Sequence, residues 1–135
     1  MTRWLNALIA SALLIASCAI PASAQNPTMR TAMREKLRNT ERLFEAVIAS
    51  DFVNIRRSAD ALSRVSQTEI LTWQSNPPPD YLKQAMAFIT ATQGLREAAT
   101  KRNVEAALAE YVTLASSCTR CHASIQRLRV ISFER

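Results

Sequence analysis

Two cysteines and a histidine stand close together near the end of the chain, in the run Cys118-Thr119-Arg120-Cys121-His122, here called the attachment motif. On a helix, residues three and four apart share a face, so both thiols and the imidazole can point to one side. Two thiols at this spacing add to the two vinyl groups of haem, and the adjacent imidazole binds its iron. The motif therefore predicts one covalent haem c, anchored by Cys118 and Cys121, with His122 as an iron ligand.

Two other chemistries use the same residue types. His122 is the single histidine of the chain, and two cysteines with one histidine need a further carboxylate to complete a structural zinc site. A thioredoxin-like cysteine pair belongs beside a βαβ unit, and the chain has no strand pattern. A haem-free disulfide or thiol pair is the alternative to haem attachment.

The start of the chain has the pattern of a secretory signal peptide. Arg3 precedes an apolar run over residues 4–20, which is followed by a proline and the small residues Ala22-Ser23-Ala24. This order predicts removal of residues 1–24, cleavage before Gln25 and a periplasmic location. Export matches the motif, because haem c is attached outside the cytoplasmic membrane.

Two other fates of this segment stay open. The apolar run is short for a membrane span, but an uncleaved anchor is one alternative. The residues before Cys18 resemble a lipoprotein processing site, so acylation of Cys18 is the other. Normal cleavage before Gln25 discards Cys18 and leaves only the two motif thiols.

Composition limits the classes of partner. The chain has 135 residues, with 17 basic and 11 acidic side chains and a formal net charge of +6. This length fits one domain over residues 25–135. A basic surface favours acidic partner proteins. Aromatic residues make up only 6% of the chain and do not alternate with a basic run, so a nucleic-acid partner is not expected.

The first half of the mature chain reads as two amphipathic helices. One helix is predicted from Pro27, after the cap Asn26, to about Ala49. Asp51 is predicted to cap a second helix that lies antiparallel to the first. The expected inward faces carry Met29, Met33, Leu37, Phe44, Val47 and Ile48 in the first helix, and Phe52, Ile55, Ala59, Leu62 and Val65 in the second.

The second half repeats this arrangement after a loop. Residues 74–79 include three consecutive prolines and are predicted to be non-helical. Asp80 is predicted to cap a third helix ending near Lys101, and Asn103 a fourth helix that carries the attachment motif. The fold class is therefore all-α, an antiparallel four-helix bundle. The expected inward faces carry Tyr81, Leu82, Ala85, Phe88, Ile89, Leu95 and Ala99, and then Val104, Leu108, Tyr111, Val112, Leu114, Ala115, Ile125 and Leu128.

The chain resembles the class II c-type cytochromes, the family of cytochrome c-prime and the cytochromes c556. The decisive feature is that the motif lies on the last helix, with no methionine after it. The other matching stretches are Met33-Arg34-Glu35-Lys36-Leu37, Asp51-Phe52, Ala61-Leu62-Ser63-Arg64-Val65-Ser66 and Tyr111-Val112-Thr113-Leu114.

The resemblance implies a haem held between the helices, with His122 on one side of the iron and the first helix on the other. In the c556 branch a first-helix methionine completes the iron coordination, and Met33 stands at about that position. Met29 lies one turn earlier on the same face and is the alternative ligand. Tyr111 and Arg34 complete the residues expected around the cofactor.

Two functions follow from these two forms of the site. With both axial positions filled, the expected function is that of an electron carrier rather than an enzyme, serving acidic redox partners. With no methionine ligand, the resemblance implies a five-coordinate protein that binds NO or CO. Arg120, Arg127 and Arg129 are expected either to pair with haem propionates or acidic partners, or to be solvated surface. The family often forms homodimers, so the resemblance leaves both a monomer and a homodimer open.

Overall fold

The computed structural model describes residues 27–72, 77 and 79–133, with the backbone alone at residues 27 and 127–133. The described residues form four α-helices and no strand. The helices are α1 (Pro27–Ile48), α2 (Phe52–Thr72), α3 (Pro79–Thr100) and α4 (Val104–Phe133). The prediction of an all-helical chain with four mutually packed helices is confirmed.

Each helix packs along its neighbour in the chain, and each pair of neighbours runs antiparallel. Three side-chain contacts show this direction. In each, the two residues lie at similar sequence distances from the connection that joins their helices, as antiparallel packing requires. These contacts are the ion pairs Lys36–Glu69 and Asp60–Arg96 and the hydrogen bond that Ser124 donates to Asp80. Since α1 and α4 are separated by three reversals, they also run antiparallel.

Both predicted caps at the short connections are present. Asp51 Oδ1 accepts a hydrogen bond from the backbone N–H of Asn54 at 3.0 Å. Asn103 Oδ1 accepts one from the backbone N–H of Ala106 at 2.9 Å. These bonds satisfy N–H groups that have no partner within the first turn of a helix, so α2 and α4 begin where their caps were predicted.

The residue before each cap has a left-handed backbone. Ser50 has φ of 53° and Arg102 has φ of 52°. In both connections the next N–H, that of Asp51 or Asn103, donates to a carbonyl five residues earlier, at 2.8 and 2.9 Å. This is the Schellman arrangement, which closes one helix just before the next begins.

The predicted start of α3 was wrong by two residues. Pro79 was expected in the loop, with Asp80 as the cap, but Pro79 is the first residue of α3 and Asp80 lies in its first turn. Proline fits this position because the first N–H groups of a helix have no intrahelical acceptor and its fixed φ is helical. Asp80 still favours the helix start through its charge.

The predicted inward faces of α2 and α3 are largely confirmed, but α1 is turned relative to its prediction. Leu43 and Val47 are buried, whereas Leu37, Phe44 and Ile48 are exposed. The apolar side of α1 is broad, and the helix packs chiefly against α2. The edge of that side nearest α4 is therefore left open to solvent.

The buried face of α4 also differs from its prediction. Leu114 and Ala107 are buried, whereas Leu108 and Val112, both predicted inward, are exposed. On α3, Leu82 was also predicted inward and is exposed. Phe44 lies at the seam between α1 and α4, where its ring contacts that of Tyr111. These two helices contact each other much less than helices adjacent in the chain do.

Several predictions lie outside the described residues. They are the signal peptide over residues 1–24, the acylation site Cys18, the cap Asn26, most of the loop at 74–79, and the side chains of Arg127, Leu128 and Arg129. None of the four helices that the structure describes is both long and apolar enough to cross a membrane.

Candidate functional site

The attachment motif lies in the second half of α4, as predicted. Cys118 and Cys121 are half-buried free thiols, and His122 is exposed. The buried residues Leu114 and Ser117 mark the inward direction of α4. At 100° per residue, Cys121 lies along that direction, while Cys118 and His122 are turned toward one side.

That side faces α1, as an aromatic contact shows. The rings of Phe44 on α1 and Tyr111 on α4 have centroids 5.6 Å apart. Met33 lies eleven residues before Phe44, and His122 lies eleven residues after Tyr111. Because the helices are antiparallel with the same rise per residue, Met33 and His122 lie at one level on opposite sides of the seam.

The remaining predicted residues are more dispersed. Met29 is half-buried one turn beyond the level of His122, and Arg34 is exposed beside Met33. Tyr111 packs against the apolar core and Phe44, about two turns from the motif, so its contact is with the protein interior. Arg120 is exposed on α4.

Among the helices that lie side by side in the bundle, α1 and α4 pack least closely against each other. These two helices contact each other far less extensively than α1 contacts α2 or α3 contacts α4. Leu37 lies on the α1 side at the level of Cys118 and is 60% exposed. Covering exposed apolar surface of this kind with a flat apolar group would stabilise the protein.

The thiols lie in a poorly hydrated environment. Burial raises the pKa of the Cys118 thiol, and the ammonium group of Lys36 partly offsets this effect. Burial and the carboxylate of Glu69 raise the pKa of the Cys121 thiol. Redox-active cysteines instead have depressed pKa values, because the thiolate is the nucleophile. This environment argues against a thioredoxin-like exchange pair.

A buried ion pair lies at the same level as the thiols, and the sequence analysis did not identify it. Lys36 on α1 pairs with Glu69 on α2, with side-chain exposures of 13% and 1%. The Nζ of Lys36 lies 4.7 Å from the ring centroid of Phe88 on α3. Lys36 lies seven residues, about two turns, before buried Leu43, and Glu69 lies seven residues after buried Leu62. Each charged residue therefore falls on the buried face of its own helix. That coincidence on two paired helices was the available signal.

Further polar groups line this half of the bundle without partners among the described residues. The hydroxyl oxygen of Ser66 and the amide oxygen of Gln84 are buried, and neither has a hydrogen-bond partner. Unpaired buried polar atoms are costly and call for an explanation. A haem is a largely apolar ring that is anchored by thiols, so exposed Leu37 on α1 and the two half-buried thiols on α4 fit such a group.

No cluster of three or more His, Cys, Asp or Glu side chains that could hold a metal ion occurs in the part of the chain that the structure describes. Comparison of the chain with protein-family models, with curated protein sequences and with solved structures finds no significant match.

Proposed function

We propose that this chain is an exported c-type cytochrome of the class II kind that carries electrons one at a time. The observation that carries the proposal is that Met33 on α1 and His122 on α4 lie at the same level along the bundle, on opposite sides of the open seam. Two half-buried thiols lie beside them. Haem c, when bound, supplies an iron that takes one electron from a reduced donor protein and gives it to an oxidised acceptor.

Each residue of the site then has a distinct role. Cys118 and Cys121 would hold the ring, each thiol adding across one vinyl group of the porphyrin. His122 on α4 would bind the iron through an imidazole nitrogen, and Met33 on α1 through its thioether sulfur. A methionine ligand raises the reduction potential, which suits one-electron transfer.

The surroundings of the site support electron transfer with other proteins. His122 and Arg120 are exposed on α4, and Arg34 is exposed on α1, so part of the site lies close to the surface. Removal of residues 1–24 takes away one basic side chain and leaves a formal net charge of +5. This charge attracts acidic redox partners through contacts that weaken as salt is added.

Intact-mass measurement tests covalent attachment directly. We expect the full chain, expressed in a bacterium with cytochrome c maturation machinery, to gain the mass of one haem and to retain a haem stain on a denaturing gel. Cys118→Ser with Cys121→Ser should lose both signals, whereas Thr119→Ala, within the same motif, should keep them. A wild-type protein with free thiols and no added mass would refute the proposal.

The same measurement tests the proposed export. Removal of residues 1–24 gives a mature chain that begins at Gln25, and periplasmic extracts should contain it. A lipid-modified chain beginning at Cys18 would instead establish the lipoprotein alternative. A full-length haem-free chain in the cytoplasm would contradict export.

A further inference from the structure

The ion pair between Lys36 and Glu69 is unusual because both charges lie inside the bundle. Taking charges out of water is costly, and such a pair is often replaceable by apolar residues without loss of stability. The Glu69 side chain is 1% exposed and that of Lys36 is 13% exposed. Fold stability alone therefore does not explain the pair.

The position of the pair suggests a different role. Lys36 lies eight residues before Phe44, and Cys118 lies seven residues after Tyr111, so the pair and the first thiol share one level of the bundle. The Phe88 ring, 4.7 Å from Lys36 Nζ, closes this layer from α3. Charges in so enclosed a layer are poorly screened by water or salt.

We propose that the charges of Lys36 and Glu69 set the reduction potential of the haem held by Cys118 and Cys121. This inference rests on the proposed function. Oxidation leaves the iron with one more positive charge. The Glu69 carboxylate favours that charge and the Lys36 ammonium opposes it, so the two side chains shift the potential in opposite directions.

The test is a redox titration of the purified holoproteins, each first checked for one haem per chain. Glu69→Gln, Lys36→Gln and the wild type are measured side by side at pH 6 and at pH 8. Lys36→Arg keeps the charge and serves as the rescue variant.

The exposed ion pair between Lys101 and Glu97 provides matched controls. Its partners are 67% and 66% exposed and lie at the opposite end of the bundle. Lys101→Gln and Glu97→Gln remove the same charges from a solvated position, where screening makes their effect small. Any effect of net charge alone would appear equally in these controls.

We expect Glu69→Gln to raise the potential and Lys36→Gln to lower it. Each should change the ratio of oxidised to reduced protein at fixed applied potential by at least about threefold, or about 30 mV at 59 mV per tenfold change. The double variant and Lys36→Arg should lie near wild type, and the shifts should persist in high salt.

Several results would overturn the inference. Shifts of both single variants in the same direction would indicate loosened packing rather than charge. Shifts no larger than those of the exposed controls would contradict the proposed role, as would loss of haem from either single variant. Absence of haem from the wild-type chain would refute the proposed function itself, which is a separately recognisable result.

Discussion

At the scale of single residues, two methionines compete for the position opposite His122. Met33 and Met29 are both half-buried on α1. Met33 lies at the level of His122, whereas Met29 lies four residues, about 6 Å, beyond it. The geometry of the seam thus favours Met33 on grounds independent of the family resemblance.

We predict that Met33→Leu vacates one axial position while keeping an apolar side chain of similar size. The reduced variant should become high-spin and should bind carbon monoxide, as measured by visible absorption of the holoprotein. Met29→Leu is the matched control and should leave the spectrum unchanged. The opposite pattern would make Met29 the ligand, and an effect of neither substitution would exclude methionine ligation.

Residue types and spacing predict a candidate haem site at Cys118, Cys121 and His122, but they do not reveal its surroundings. Cys118, Cys121 and His122 are adjacent in sequence, so a local pattern reveals them. Lys36 and Glu69 come together from two helices, and a charged residue on an apolar face is ordinarily read as an interruption. Their partnership depends on how α1 and α2 are rotated against each other, which sequence periodicity does not determine.

At the scale of elements, the two short connections share one design, a left-handed residue followed by an Asx cap. We predict that Ser50→Gly stabilises the holoprotein by about 0.5–1 kcal/mol, because glycine adopts positive φ without steric cost. Thermal unfolding should show a midpoint a few degrees higher. Ser63→Gly, within α2, should lower the midpoint, and a lower midpoint for Ser50→Gly would contradict this account of the turn.

The cap at Asp51 gives the bundle an acid-sensitive point. Hydrogen bonds from Asn54, the larger influence, and the nearby Arg57 charge hold the pKa of Asp51 below its ordinary value of 3.8. A lowered folded-state pKa contributes stability that is complete above the ordinary value and is lost as the pH falls through the folded-state pKa. We predict that Asp51→Asn keeps the cap but removes this contribution.

Melting of the two proteins between pH 7 and pH 2 measures the difference. The wild type should lose more of its thermal stability than Asp51→Asn does below about pH 4. Parallel losses would show that Asp51 makes no titratable contribution. An exposed carboxylate substitution, Glu41→Gln, serves as the control for general charge effects.

Helix boundaries were more predictable than helix orientation for a physical reason. Caps such as Asp51 and Asn103 act on N–H groups within three residues, so their signal is local. The inward face of α1 depends instead on which neighbours cover it. The apolar face of α1 is wide, with Leu43 at its buried edge and Leu37 at its exposed edge. Packing against the neighbouring helices decides which edge is buried.

At the scale of the whole molecule, the bundle is closed along three helix pairs and open along the fourth. If the cofactor occupies the seam between α1 and α4, the haem-free chain lacks the contacts that fix α1 to α4. We predict that Cys121→Ser yields a loosened protein in which amide hydrogen exchange quickens most in α1 and least in α3. Uniform protection and a cooperative melt like that of the holoprotein would contradict this prediction.

The central claim is a six-coordinate haem c between His122 and Met33, and visible absorption of the purified full chain tests it most directly. Spectra are recorded oxidised, reduced with dithionite, and reduced under carbon monoxide. We predict sharp low-spin bands on reduction that carbon monoxide leaves unchanged. A high-spin spectrum that shifts with carbon monoxide would contradict methionine ligation and favour gas binding, and no haem absorbance would contradict the whole account.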